Sequence, residues 1–78
     1  MNIGKILNFI AQNNINPEDV FRLVEKIKSM NMKDENNLRE IIHEASRIAG
    51  KKIDKQKEDY IIKKILSDEV TEDLFELL

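Results

Sequence analysis

Residues 15–30 read INPEDVFRLVEKIKSM, and this stretch carries the best-marked helix start in the chain. Asn16 is a residue type that caps helices, and Pro17 suits the first helical position because the missing N–H would have no partner there. Asp19 lies where the acid of a capping box belongs. A set of apolar residues at helical spacing follows, wide enough to form a core face. Its members are Val20, Phe21, Leu23, Val24, Ile27 and Met30.

The same periodicity extends along the whole chain and predicts an all-α fold. Apolar residues recur at helical spacing in residues 3–10, Asp34 and Gly50 bound a third helix, and Asp54 caps a fourth. Thr71 is the predicted cap of a short last helix. The predicted core side of the fourth helix consists of Tyr60, Ile61, Ile62, Ile65 and Leu66. Short joints between these segments indicate a compact bundle of four helices plus a short C-terminal helix.

Length and composition indicate one small domain spanning residues 1–78. The chain has 13 basic and 15 acidic residues, a net charge of −2, and 41% apolar residues, which is enough to fold. It has no cysteine and two glycines, so disulfides, zinc knuckles and glycine-rich phosphate loops are excluded. The longest apolar run, residues 9–11, is too short for a membrane span or a signal peptide. We therefore expect a cytoplasmic protein without membrane contact.

One group of polar residues has the composition of a catalytic site. His43 is the only histidine, and Glu40, Ser46 and Arg47 lie three or four residues away. The register places His43 on the solvent side of a straight helix, where neither a cleft nor an oxyanion hole is available. The acidic residues near the C-terminus lack the spacing of a calcium loop. We therefore predict no enzymatic activity, no cofactor and no metal.

Charge is distributed unevenly along the chain. Residues 47–64 carry a local charge of +4, and residues 67–78 carry −5. Lys51, Lys52 and Lys55 lie at the joint where a helix-turn-helix protein would hold DNA phosphates. The acidic total charge disfavours a nucleic-acid partner, and so do two carboxylates inside the would-be recognition helix.

Those two carboxylates, Glu58 and Asp59, are interpreted as first-turn acids that offset Lys55 and Lys57 at the positive end of the helix.

The C-terminal segment provides a second candidate for partner binding. A domain this small buries a smaller share of its surface than a large one, so a leftover apolar patch is expected. Helices at the ends of a chain are usually the least firmly packed, so the patch is expected in the C-terminal segment. The residues predicted to form this patch are Leu74, Phe75, Leu77 and Leu78.

Several motifs in the chain resemble those of one known family, the stage VI sporulation protein F family. They are residues 31–42 (NMKDENNLREII), Ala45, Ala49, residues 57–62 (KEDYII), residues 19–23 (DVFRL), and Val70, Asp73 and Leu74. The similarity covers residues 6–75, nearly the whole chain.

The resemblance implies a mother-cell protein of spore-forming bacteria with no catalytic residues. It implies non-enzymatic control of spore coat assembly through binding of another protein, either a spore coat protein or a sporulation regulatory factor. A small helical DNA-binding or transcription-modulating protein is the alternative.

Overall fold

The computed structural model describes residues 3–78, and α-helices make up the regular structure of these residues. The helices are α1 (Ile3–Asn13), α2 (Pro17–Ser29), α3 (Glu35–Ile48), α4 (Lys55–Asp68) and α5 (Asp73–Leu77). Residues 3–78 contain no β-strand. The predicted all-α fold, with four helices and a short C-terminal fifth, is confirmed.

Three helices begin at the caps that the sequence predicts. The side-chain oxygen of Asn16 accepts a hydrogen bond from the amide of Glu18 at 3.0 Å. Asp34 and Asp54 cap α3 and α4 in the same way, each with an oxygen 2.8 Å from a first-turn amide. These contacts satisfy amide groups that have no partner within the helix. The prediction for Thr71 is wrong, because Glu72 precedes α5 and its side chain makes no capping hydrogen bond.

The core lies where the helices pack in neighbouring pairs: α2 with α3, α3 with α4, and α5 with α1 and α4. Each pair buries aliphatic side chains, mainly isoleucine and leucine. The largest fully buried side chains are Ile6, Val20, Leu38, Ile41, Ile42, Ile61 and Leu74. The radius of gyration is 11.3 Å, close to the value of about 11.5 Å expected for a compact chain of this length.

The C-terminal segment belongs to this core, so the prediction of an exposed patch there is wrong. Leu74, Phe75 and Leu78 are buried, and Leu77 is half-buried against the core. The ring centroid of Phe75 lies 4.9 Å from that of Phe9. The physical reason is that the apolar side of α5 packs against the apolar side of α1. Sequence periodicity shows that each helix has an apolar side, but it does not show that these two sides meet.

An ion pair holds the same two helices together. Nζ of Lys5 in α1 lies 2.5 Å from Oδ1 of Asp73 in α5 and 3.8 Å from a carboxylate oxygen of Glu76. The hydrogen bond to Asp73, together with the negative charge of both acids, raises the pKa of Lys5 above its ordinary value.

Three residues predicted to lie in the core are instead exposed: Phe21 at 47%, Tyr60 at 54% and Leu66 at 41%. Phe21 lies about 100° around α2 from the buried Val20, outside the side of the helix that packs against α1 and α3. Tyr60 and Leu66 flank the buried Ile61, Ile62 and Ile65 of α4 in the same manner.

Two phenylalanine truncations should separate core from surface. Phe75→Ala should lower the free energy of unfolding by about 3–5 kcal/mol, because it removes a buried ring. Phe21→Ala should cost less than about 1 kcal/mol, because half of that ring is already in water. Urea unfolding followed by circular dichroism measures both values. Equal losses would contradict this assignment of core and surface.

Candidate partner-binding surface

Arg39 of α3 joins α3 to α4 through carboxylates. Its Nη1 donates a hydrogen bond to Oε2 of Glu58 at 2.9 Å. Its Nη2 lies 2.9 Å from Oδ1 of Asp59 and donates to Oε1 of Glu35 at 2.9 Å. The hydrogen bonds to Asp59 and Glu35 raise the pKa of Arg39 above its already high ordinary value. The guanidinium therefore stays charged, and it ties the first turn of α4 to α3.

Glu58 is a buried charged residue, with 7% of its surface exposed. Its Oε2 accepts from Arg39, and its Oε1 contacts Nε2 of His43. Oε1 has no other polar partner among residues 3–78, and the His43 contact is a charged pair only when the imidazole is protonated. The His43 side chain is 67% exposed, which confirms its predicted place on the solvent side of α3.

These contacts correct the interpretation of Glu58 and Asp59. They bind Arg39 of α3 and form no ion pair with Lys55 or Lys57. Glu58 is buried and does not face solvent. Asp59 is half-exposed, and Arg39 neutralises its charge. Their expected repulsion of phosphates is therefore weaker than the sequence indicates.

The basic residues divide into two groups by pairing. Of the six in residues 5–39, five form ion pairs with carboxylates, and the exception is Lys33. The five paired residues are Lys5, Arg22, Lys26, Lys28 and Arg39. Lys26, for example, donates to Glu44 at 2.6 Å and to Glu40 at 2.9 Å, which raises its pKa.

The seven basic residues within residues 47–64 are all exposed, and none pairs with a carboxylate in the described part of the chain. They are Arg47, Lys51, Lys52, Lys55, Lys57, Lys63 and Lys64. Nζ of Lys51 and Nζ of Lys57 lie 3.3 and 3.5 Å from the main-chain oxygen of Leu78. The structure therefore brings Lys51 to the C-terminal segment, whereas Lys52 and Lys55 project from the α3–α4 joint without a partner.

The solvent side of α4 combines such lysines with apolar side chains. Tyr60, Lys63, Lys64 and Ser67 line a shallow depression of about 330 Å³. Tyr60, Lys63 and Leu66 also line a groove of about 470 Å³ against α3, and Leu66 continues into a groove of about 440 Å³ beside Met30 and Met32. We define the α4 face as Tyr60, Lys63, Lys64, Leu66 and Ser67.

The sequence predicted the positive charge of this region but missed the α4 face as a site. Tyr60 and Leu66 were assigned to the core. The available signal was their position at the edges of the apolar side of α4, next to Lys63 and Lys64.

Residues 3–78 contain neither a membrane-spanning helix nor a cluster of side chains suited to a metal ion. No helix there is both long enough and apolar enough to span a membrane. Within the same residues, no cluster of three or more histidine, cysteine, aspartate or glutamate side chains has an arrangement that could hold a metal ion.

Comparison with known proteins identifies the family. Residues 5–77 match the family model described as stage VI sporulation protein F. The chain belongs to this family. A relative in Bacillus subtilis (strain 168), named "Sporulation-specific transcription factor SpoVIF", is 30% identical over 60 residues. The match covers 77% of this chain and 71% of the relative. No solved structure matches the chain.

The comparison confirms the resemblance drawn from the motifs, and it establishes a role in sporulation. The α4 face and the Arg39 contacts both lie inside the stretch that matches the stage VI sporulation protein F model.

A double-mutant cycle should reveal the coupling between Arg39 and Glu58. Arg39→Met should destabilise the protein because it leaves a buried carboxylate without its cation. In a Glu58→Gln background the same change should cost less, because no buried charge remains. Urea unfolding measures the four free energies. Lys28→Met is the control, since it removes an exposed contact of 3.6 Å with Glu25. Additive effects of Arg39→Met and Glu58→Gln would contradict the coupling.

Proposed function

We propose that this protein controls spore coat assembly from the mother-cell cytoplasm by binding another protein through the α4 face. The partner is a spore coat protein or a sporulation regulatory factor, and binding requires neither catalysis nor a cofactor. Membership of the stage VI sporulation protein F family supports the role in sporulation. The α4 face supports the mode of action.

The observation that carries the proposal is the exposure of Tyr60 and Leu66 among unpaired lysines. Tyrosine is enriched in protein interfaces, where its ring supplies apolar contact and its hydroxyl a polar one. Leu66 links two grooves, so apolar contacts continue from Tyr60 to the half-buried Met30 and Met32. Burial of this apolar surface would contribute to affinity for a protein.

The contacts of His43 and Ser46 support a non-enzymatic role. Oγ of Ser46 donates to the main-chain oxygen of His43 at 2.9 Å, so it is not directed at the imidazole. Nε2 of His43 contacts Glu58. A hydroxyl and an imidazole arranged in this way do not form the nucleophile and base of a hydrolase.

Direct DNA binding is the second candidate, because the Bacillus subtilis relative is named a transcription factor. Lys51, Lys52 and Lys55 at the α3–α4 joint are exposed and pair with no carboxylate of residues 3–78, so they are suited to phosphate contacts. The net charge of −2 argues against it, since a DNA-binding domain usually has a clear basic excess.

Deletion of the gene in the source bacterium should give spores with fewer extractable coat proteins. The double variant Tyr60→Ala/Leu66→Ala should reproduce that loss, because it removes the apolar part of the α4 face. Electrophoresis of coat extracts measures the effect, and Phe21→Ala, another exposed aromatic, is the matched control. A normal coat in the deletion strain would refute the role in coat assembly.

A gel shift on promoter DNA of sporulation genes at increasing salt separates the two candidates. If three lysines contact phosphates, the logarithm of the affinity should fall by about 2.7 per tenfold increase in salt. We expect no sequence-selective shift. A tight, selective shift that is lost when Lys51, Lys52 and Lys55 are changed to alanine would establish DNA as the partner.

A further inference from the structure

The unpaired lysines of α4 indicate the charge of the partner. Within residues 3–78, Lys63 and Lys64 are exposed without a carboxylate neighbour, although the chain is acidic overall. Glu58 and Asp59 of the same helix are already bound by Arg39 of α3. Positive charge therefore dominates the solvent side of α4 from Lys55 to Lys64, a length of about 14 Å along the helix axis. A partner that neutralises this surface carries negative charge.

The positive surface is short and has a negative border. Asp68 and Glu69, both exposed, follow Lys64 within two turns of helix. A phosphate backbone carries a negative charge about every 1.7 Å of duplex along its whole length. Duplex DNA that runs past the lysines would meet these carboxylates and be repelled. A protein helix, unlike a phosphate backbone, can place carboxylates beside Lys63 and Lys64 and uncharged side chains beside Leu66, where Glu69 lines the same groove.

The apolar members of the α4 face indicate the form of that segment. Tyr60 and Leu66 are six residues apart, about 9 Å along α4, which is close to the length of two turns of a partner helix. A helix with apolar residues at positions i and i+7 could contact both, with its acids beside the lysines. DNA would leave Leu66 and the groove beside Met30 in contact with water.

The protein already contains one contact of this chemistry. Helix α5 is acidic and apolar, and it packs against α1 through Phe75 and Phe9. Its Asp73 and Glu76 pair with Lys5 beside that contact. An acidic helix that pairs with lysine next to a contact between two aromatic rings therefore occurs in this fold.

From these observations we infer that the α4 face binds an acidic amphipathic helix of the partner protein. Tyr60 and Leu66 contact its apolar side, and Lys63 and Lys64 pair with its carboxylates. This inference rests on the proposed function, since it specifies the chemistry of the partner that the proposed function requires.

Site-specific cross-linking in sporulating cells tests the inference. The photo-reactive amino acid p-benzoyl-L-phenylalanine replaces Tyr60 in one variant and Ser67 in a second. It replaces Phe21, which is 47% exposed on α2, in the control. Circular dichroism checks that each variant folds, and mass spectrometry identifies the cross-linked peptide. We expect positions 60 and 67, but not position 21, to capture the same segment, which has net negative charge and apolar residues at helical spacing.

Charge reversal provides the second arm. Lys63→Glu/Lys64→Glu should lower the yield of this cross-link by about tenfold or more, because like charges then face each other. Lys28→Glu, an exposed change on α2, should leave the yield unaltered. If Lys63→Glu/Lys64→Glu leaves the cross-link yield unchanged, the inference is overturned.

The identity of the captured molecule separates the two proposals. Capture of a neutral or basic protein segment overturns the inference and leaves the proposed function standing. Capture of DNA overturns both. Absence of any cross-link from positions 60 and 67, in cells whose spore coat is normal, overturns the α4 face as the binding surface.

Discussion

The carboxylate of Glu58 is buried between α3 and α4, and the packing of these two helices depends on how its charge is compensated. Removing a charge from water costs several kcal/mol unless a partner of opposite charge and good geometry replaces the water. Arg39 provides that partner at 2.9 Å, and His43 contacts the second oxygen. Arg39 and His43 both lie on α3. Glu58 can therefore be buried only when α4 lies beside α3 in one register, with the isoleucines of both helices facing the core.

This arrangement divides the motif KEDYII into parts with different roles. Its two acids point toward α3 and bind Arg39, and its two isoleucines are buried. Lys57 and Tyr60 remain at the surface. One short motif therefore fixes the packing of α4 and also leaves two side chains at the surface. The motif therefore combines residues that fix the packing with residues that are exposed, and the directions of the side chains separate the two groups.

The sequence predicted what depends on local chemistry and failed where distant elements must pair. Asn16, Asp34 and Asp54 were correct as caps because a cap bonds an amide two or three residues away. The pairing of Lys5 with Asp73 joins residues 68 positions apart, and no local pattern indicates it. The same holds for Arg39 and Glu58. Periodicity identifies the apolar side of a helix. It does not show how much of that side the neighbouring helices cover. That is why Phe21, Tyr60 and Leu66 were placed in the core.

The length of each helix explains which apolar residues the protein can leave in water. A helix of five residues is unstable by itself, so α5 forms only while its apolar side chains are buried against α1 and α4. Those side chains are therefore unavailable to a partner in the folded protein. Helix α4 has 14 residues and is anchored by Ile61, Ile62 and Ile65, as well as by Glu58. It stays folded with Tyr60 and Leu66 exposed, so a partner can bind there without unfolding any part of the domain.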